Sequence, residues 1–469
     1  MNPIKKEGDK LEGFEGEVFH PSLDIKKEVL LLGFRYIGKN REEKEIFLIA
    51  ENNGSIGLFP DSYFKSEEKR YFLEKEGRKL AKIEDRWSLR GLRGFVEEYT
   101  SGKIGIMPTS KEIFEEILLL SKKYLELEKE VDYSLLTAWI IGSYFFPIFS
   151  AYPFLHIKAP KRSGKSQCLN FLKQTCFNAI KARPSLAALG DTVDSLRGVY
   201  LIDQADSLKR KGNENLLDIL ADSYKKGGGK RMVLDFDKHK GRRVLEFETY
   251  SPKAFASIGE LTEDLRDRCF VIPLVRSQKN FPEPDEENED WKNVRGELYK
   301  FLINNYYTIN STYIVKKIDY RRDPIIVGRE LELWLPLEII IDVCCKDRTD
   351  EAKRRFRQLY GFTEYEPSEI EEEIIKNILT LFSDKSEIVL SPKKISNSFY
   401  IDDFMGSLQE KAIKIGWTIK KFNLASEKRP RTKEGVSYLF KKEVVENVYK
   451  AYFKSAIEST SSTLESKTN

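Results

Sequence analysis

The sequence predicts an α/β core, a parallel sheet with flanking helices, preceded by a small β-rich domain and followed by helical units. Three observations carry this. Between residues 154 and 274, β-rich apolar runs alternate with helical ones, the rhythm of parallel strands returned by helices. Two of those runs, Phe154-Leu-His-Ile-Lys158 and Val199-Tyr-Leu-Ile202, are buried-strand patterns that lead into polar loops. The chain of 469 residues also exceeds what one hydrophobic core ordinarily serves, so several domains are expected.

The expected boundaries follow changes of pattern. Residues 1–108 form the β-rich domain, in which EVLLLGFRYI and EIFLIAE precede the turn signal Asn52-Asn53-Gly54 and the run SIGLFPDSYF. Residues 109–153 form a helical lead-in, opened by a capping box of Thr109 and Glu112 before the helical period of Ile113, Phe114, Ile117 and Leu118. The core spans 154–279, a helical lid 280–361 and a last domain 362–456; the polar tail 457–469 is expected to be disordered.

Charged residues are 33% of the chain and nearly cancel, leaving +4, so no uniformly basic coat exists and any nucleic-acid contact must be local. The five cysteines, Cys168, Cys176, Cys269, Cys344 and Cys345, lack metal-ligand spacing, and the three histidines are far apart, so neither a zinc site nor a disulfide framework is suggested. Residues 134–157 carry no charge until Lys158 and are long enough to cross a bilayer, but Pro147 and Pro153 divide them into a buried helix and an extended segment. With no apolar leader in MNPIKKEGDKLEG, a cytoplasmic protein without a membrane partner is expected.

After the first buried strand, Ala159-Pro160-Lys161-Arg162-Ser163-Gly164-Lys165-Ser166 reads as a Walker A loop with alanine at the first glycine position, and a helix with Leu169, Leu172 and Cys176 on one face follows. Strand, loop and helix in that order aim backbone N–H groups and a positive helix end at one point, which suits a chain of phosphates. Lys165 would hold the β and γ phosphates of ATP and Ser166 a Mg2+ ion. The second strand ends at Asp203, which would hold the same ion through water, as a Walker B carboxylate does. Next to it stands Gln204 where a glutamate would polarise the attacking water. Either Gln204 orients that water without removing its proton, or Asp206 reaches the site; hydrolysis is slow or partner-dependent in the first case.

Beyond Gly227-Gly228-Gly229, residues 230–250 read as a hairpin with a basic tip at Lys238, His239 and Lys240, and a third strand runs through Ser257 towards Leu265-Arg266-Asp267-Arg268. With these motifs in place, residues 110–453 resemble the AAA+ P-loop helicases of viruses and plasmids, the clade of superfamily 3 initiators and minichromosome maintenance proteins. The resemblance implies a ring, usually a hexamer, that hydrolyses ATP between protomers and moves on single-stranded or forked DNA. It makes Lys238 and His239 a pore hairpin that grips the DNA backbone, though a solvated surface turn explains the same residues. It places sensor 1 near residues 257–259, an arginine finger at Arg268 with Arg266 as fallback, and sensor 2 at Arg329 in the segment Gly328-Arg329-Glu-Leu-Glu-Leu-Trp334, where an ordinary helix-surface arginine is the alternative.

In the last domain, helices at 369–382, 392–399 and 402–416, a strand at Trp417-Thr-Ile-Lys-Lys421, the basic loop 428–433 and a returning strand at 436–440 make a C-terminal winged helix. Lys411 and Lys414 would face duplex DNA and Arg429 and Arg431 touch phosphate; a protein-binding winged helix or a solvated loop fits the same pattern. The functional expectation is an ATP-dependent, ring-forming DNA helicase or translocase serving replication of a virus, plasmid or integrated element. An ATP-dependent origin-binding initiator without processive unwinding, or a nucleotide-binding scaffold, stands as the alternative.

Overall fold

The computed structural model describes residues 17–37, 43–59, 63–66, 69–73, 108–160, 163–183, 185–237, 241–274, 276–277, 279–285, 288, 290–322, 326–359, 369–398, 408–422, 424–428 and 436–453. The chain divides into two compact units, Met1–Gly361 and Phe362–Asn469.

The first unit begins with seven strands. Strands β1 (Glu17–Phe19), β6 (Tyr63–Ser66) and β7 (Lys69–Leu73) form one small sheet, and β2 (Leu23–Lys26), β3 (Val29–Ile37), β4 (Glu43–Glu51) and β5 (Ile56–Phe59) form an antiparallel sheet in that order. Period-two alternation gives β2–β5 two apolar faces. Leu23, Ile25, Leu30, Leu32, Leu48 and Ala50 join the main core, while Val29, Leu31, Phe47 and Ile49 close a smaller one with Phe19 and Leu73. One face of the β2–β5 sheet is therefore part of the wall of the main core.

Helix α1 (Ser110–Tyr124) starts on the expected capping box. Thr109 Oγ1 accepts from Glu112 N at 3.2 Å and Glu112 Oε2 accepts from Thr109 N at 2.8 Å. Helix α2 (Glu130–Gly142) is buried on every side from Val131 onward, apolar apart from Asp132, Ser134 and Thr137. It leads through a 3-10 turn at Phe146–Ile148 into β8 (Phe154–Lys158), so the uncharged stretch is core. Among the described residues no helix is long and apolar enough to cross a membrane.

The central sheet adds β9 (Ile180–Lys181), β10 (Tyr200–Ile202), β13 (Lys253–Ser257) and β14 (Cys269–Pro273) to β8. All pair in parallel, in the order β14-β8-β13-β10-β9. Helices α3 (Lys165–Thr175), α4 (Leu186–Leu196) and α5 (Glu214–Asp222) connect the earlier strands, and the short α6 (Glu263–Arg266) precedes β14. Strands β11 (Arg231–Asp237) and β12 (Gly241–Phe247) form a separate two-stranded hairpin, paired from Arg231↔Phe247 to Asp237↔Gly241. Its outer face is apolar and exposed at Met232, Leu234, Phe236 and Val244. Its root is fastened to the amino edge of the sheet. Tyr250 donates to the carbonyls of Phe146 and Phe149, both at 3.0 Å, and the buried Lys253 donates to the carbonyls of Thr249 at 2.8 Å and Ser251 at 3.2 Å. Burial pulls the Lys253 ammonium down to about 7.

Helices α7 (Asp290–Arg322), α8 (Gly328–Cys345) and α9 (Thr349–Leu359) complete the unit. Tyr306 of α7 donates to the carbonyls of Glu28 and Ala50 at 2.8 and 3.0 Å, binding the β2–β5 sheet to the helices. Helix α9 is tied to α2 by Arg355, which clamps the fully buried Asp132 at 2.6 and 2.9 Å and reaches Glu128 at 3.1 Å.

The second unit runs α10 (Glu369–Thr380), β15 (Glu387–Leu390), α11 (Pro392–Asn397), α12 (Leu408–Lys421), β16 (Ala425–Lys428), β17 (Tyr438–Lys441) and α13 (Lys442–Phe453), with an antiparallel sheet β15-β17-β16. Residues 417–421, expected as a strand, are helical instead. The 3.6-residue period of Ile415, Thr418 and Ile419 buries one face of α12, and Thr418 Oγ1 donates to the Lys414 carbonyl at 3.0 Å, so the helix continues and the strand begins at Ala425. Strand β15 was not expected at all.

Replacing Arg355 by leucine leaves the Asp132 carboxyl inside the core without its guanidinium. We expect a loss of about 3–5 kcal/mol in urea-induced unfolding, and recovery of most of it in the double variant Arg355→Leu/Asp132→Leu. Equal stabilities of the single variant and the wild type would show that the clamp is inert.

Candidate phosphate and metal site

In a parallel sheet the loops that follow the strands emerge together, and ligands gather beyond the carboxyl ends where strand order reverses. Here β8 is flanked by β14 on one side and β13 on the other, and its exit loop is the Ala159–Ser166 segment. Gly164 takes φ +81°, a left-handed conformation that favours glycine, and turns the chain into α3. The first helical residues are Lys165 and Ser166. Lys161 and Arg162 lie outside the described residues.

The side chains converge as follows. Lys165 Nζ lies inside the loop and donates to the carbonyls of Ala159 and Pro160, both at 2.6 Å, and burial draws its pKa down against the pull of Asp206 and Asp203. Ser166 Oγ stands 3.3 Å from Asp203 Oδ2. Ser163 Oγ is buried and has no hydrogen-bond partner among the described residues. Helix start, ammonium, hydroxyl and carboxylate thus meet at one point. The unpaired Ser163 hydroxyl and the hard oxygens of Ser166 and Asp203 fit a phosphate chain with a magnesium ion.

Gln204 begins the next turn in a left-handed conformation, φ +55°, and its N–H donates to Asp203 Oδ1 at 2.9 Å. Its amide oxygen, the atom that would orient a water, accepts from Arg183 at 3.2 Å. Asp206 turns both oxygens to the exit of β13, accepting from the N–H groups of Ile258 at 2.9 Å and Gly259 at 3.0 Å. Although burial works against its charge, these N–H groups hold the carboxyl below its usual range. Ser257, in the sensor 1 segment, is buried and receives a hydrogen bond from His156 Nε2 at 2.7 Å while donating to the Gly259 carbonyl at 2.6 Å. Because the Ser257 proton is committed to Gly259, His156 carries its own proton on Nε2, and Nδ1 is left buried without a partner.

The arginines are elsewhere. Arg268 precedes β14, whose first residue Cys269 pairs with Phe154, the first residue of β8. It therefore stands at the amino edge, roughly 16 Å of strand away from the Ala159–Ser166 loop. Its guanidinium lies 5.4 Å from the Tyr224 ring, near Asp222 at 3.7 Å and Asp264 at 3.9 Å. Arg329 joins the same cluster, 5.7 Å from the Tyr224 ring and paired with Asp267. The structure brings Arg268 and Arg329 together and brings neither to Lys165. Lys238, His239, Lys240, Arg429 and Arg431 lie outside the described residues. In the second unit Lys414 is exposed on α12 beside Ile413 and Trp417, which is 74% exposed, while Lys411 is half-buried.

Sequence reasoning missed Lys181 and Arg183. Lys181 Nζ stands 3.4 Å from Asp203 Oδ2, and Arg183 holds Gln204. Lys181 ends a strand only two residues long, too short for an alternation signal, and Arg183 follows it outside any strand.

No family model matches this chain, and no curated protein does. Among solved structures, the chain is similar to the SCCmec type IV Cch active helicase at 10% identity and TM-score 0.37, over 90% of this chain and 95% of that one. It is similar to the A form apo structure of the NrS-1 C-terminal region at 11% identity and TM-score 0.30, over 87% and 96%. A third similarity is to the JCV helicase in complex with a small acetamide, at 13% identity and TM-score 0.19, over 62% and 77%.

Burial holds the His156 imidazole down at about 4, against its ordinary 6.5. As pH falls from about 6.5 to about 4 the unfolded chain takes up a proton there that the folded chain refuses, so this stabilisation is complete above 6.5 and is lost through that window. The total is about 3 kcal/mol. Denaturant unfolding between pH 7 and 4 is expected to show a shallower acid loss in His156→Gln than in the wild type; parallel profiles would refute the assignment.

Proposed function

We propose that this chain binds ATP with magnesium at the carboxyl edge of its central sheet and couples hydrolysis to movement on DNA, as a ring-forming helicase or translocase. The observation that carries the nucleotide reading is the meeting of Lys165, Ser166 and Asp203 around the Gly164 turn. Lys165 would hold the β and γ phosphates, and Ser166 and Asp203 the ion, which when bound supplies charge neutralisation between the phosphates. Ser163 and the N–H groups at the start of α3 would complete the cradle.

The position of Arg268 supports a shared site. An arginine at the amino edge is out of reach of its own phosphate loop, so it serves γ-phosphate chemistry only in a neighbour's site. The resulting assembly is proposed to be a ring of identical chains, a hexamer by the family resemblance. Lys238, His239 and Lys240 at the hairpin tip are the proposed contacts to single-stranded DNA. The second unit, read as a winged helix, would contribute Lys411, Lys414, Arg429 and Arg431 to duplex. Arg329 would act beside Arg268 across the same junction.

A second reading has its own support. Gln204 is an amide whose oxygen is shared with Arg183, and Asp206 is committed to the β13 exit, so neither stands as a free base. That favours an ATP-dependent initiator or DNA-binding protein with slow hydrolysis.

ATP hydrolysis measured with and without single-stranded DNA separates these. Lys165→Ala is expected to lower hydrolysis by at least about 10²-fold, and Arg268→Ala by roughly 10³-fold. Mixing the two inactive variants is expected to restore a fraction of the activity, because intact loops then face intact arginines; Arg268→Ala at the wild-type rate would overturn the shared site. Lys238→Ala is expected to lose only the stimulation by DNA. Gln204→Glu is expected to raise hydrolysis on the order of 10²-fold, through a general base the wild type lacks; an unchanged rate would show that Gln204 does not limit it.

A further inference from the structure

The phosphate site contains a cation for which the preceding roles leave no task. Strand β9 pairs with β10 in parallel with Lys181 opposite Leu201, two residues before Asp203, and the Lys181 side chain reaches along the sheet to the carboxyl edge. Its ammonium stands 3.4 Å from Asp203 Oδ2, the same oxygen that faces Ser166 Oγ at 3.3 Å. The other oxygen, Oδ1, accepts from the Gln204 N–H at 2.9 Å. Lys181 also donates to Asn170 Oδ1 on α3 at 3.1 Å, which gives the ammonium a second seat one helical turn beyond Ser166.

The two would-be metal ligands therefore already share one oxygen with a fixed positive charge. An ammonium and a divalent ion that draw on the same carboxylate oxygen compete for it and repel each other, and both are only partly screened where Lys181 and Asp203 are 26% and 29% exposed. A lysine there also supplies, without any metal, part of the positive charge that a triphosphate requires.

Resting on the nucleotide-site reading above, we propose that Lys181 is a built-in cation of the phosphate site. It holds Asp203 while the divalent ion is absent and withdraws to Asn170 when the ion binds. Nucleotide affinity in this chain then depends less on divalent metal than Lys165, Ser166 and Asp203 alone would make it.

The test is equilibrium binding of fluorescently labelled ATP to the full chain, followed by anisotropy in excess EDTA and in millimolar magnesium chloride. Lys181→Met keeps the stem and removes the charge. It is expected to weaken binding in EDTA by about five- to tenfold while leaving binding in magnesium unchanged or tighter, so the ratio of the two dissociation constants widens by that factor. Lys181→Arg is expected to keep the wild-type ratio, and Asn170→Ala, which removes the second seat, to raise the magnesium concentration at half-saturation. Thermal melts of each variant report on folding. An unchanged ratio in Lys181→Met, or equal weakening in both conditions, overturns the proposal. Binding by the wild type and not by Lys165→Ala shows the nucleotide site to be intact whichever way Lys181 falls; no nucleotide binding by the wild type overturns site and proposal together.

Discussion

The insertion of β13 between β8 and β10 is the constraint on which the first unit depends. It separates the Ala159–Ser166 loop from Asp203 by one strand width and makes the exit of β13 the floor between them. That floor is fastened on both sides: His156 of β8 donates to Ser257, and Asp206 after β10 accepts from Ile258 and Gly259. An aspartate free to serve as a base and an aspartate that sets the spacing of two loops are incompatible uses of one carboxylate. Here the spacing has it.

Parallel pairing has a second effect, a division of labour between the two edges. Everything suited to phosphate lies at the carboxyl ends of β8, β10 and β9. Arg268, Arg329 and the root of the hairpin lie at the amino ends, around Tyr224, Tyr250 and Lys253. A single copy of this sheet cannot fold the two edges together, because they are held apart by the length of its strands.

Much of this was legible in the sequence wherever the signal is local. The Thr109–Glu112 capping box, the glycine that turns the chain before Lys165, the strand that leads into Asp203 and the hairpin after Gly229 are each written in a few adjacent residues, and each follows from backbone rules that act at that range. What lay beyond reading depends on pairing across the chain. That Lys181 reaches Asp203, that Arg183 holds Gln204, and that Arg268 and Arg329 share a tyrosine are consequences of strand order and helix docking, to which no spacing in the sequence points. Trp417 failed for a different reason. Its run of Trp, Thr and Ile has strand propensity, and the burial of Ile415 and Ile419 on one helical face outweighed it, as tertiary packing commonly outweighs local preference.

Helix α4 touches both edges. It starts at Ser185, two residues after the arginine that holds Gln204, and Ser185 caps it by accepting from Ala188 N at 3.1 Å. Over about 16 Å it runs back along the sheet to Arg197. On the way a Cβ at Gly190 would lie 3.2 Å from the Arg231 side chain and 3.4 Å from Phe247, and Asp194 accepts from Glu248 N at 2.9 Å, so the helix abuts the foot of both hairpin strands without slack. The helix is therefore held at one end beside the Arg183–Gln204 contact and at the other against the foot of both hairpin strands, so neither place can shift relative to it without giving up one of these contacts.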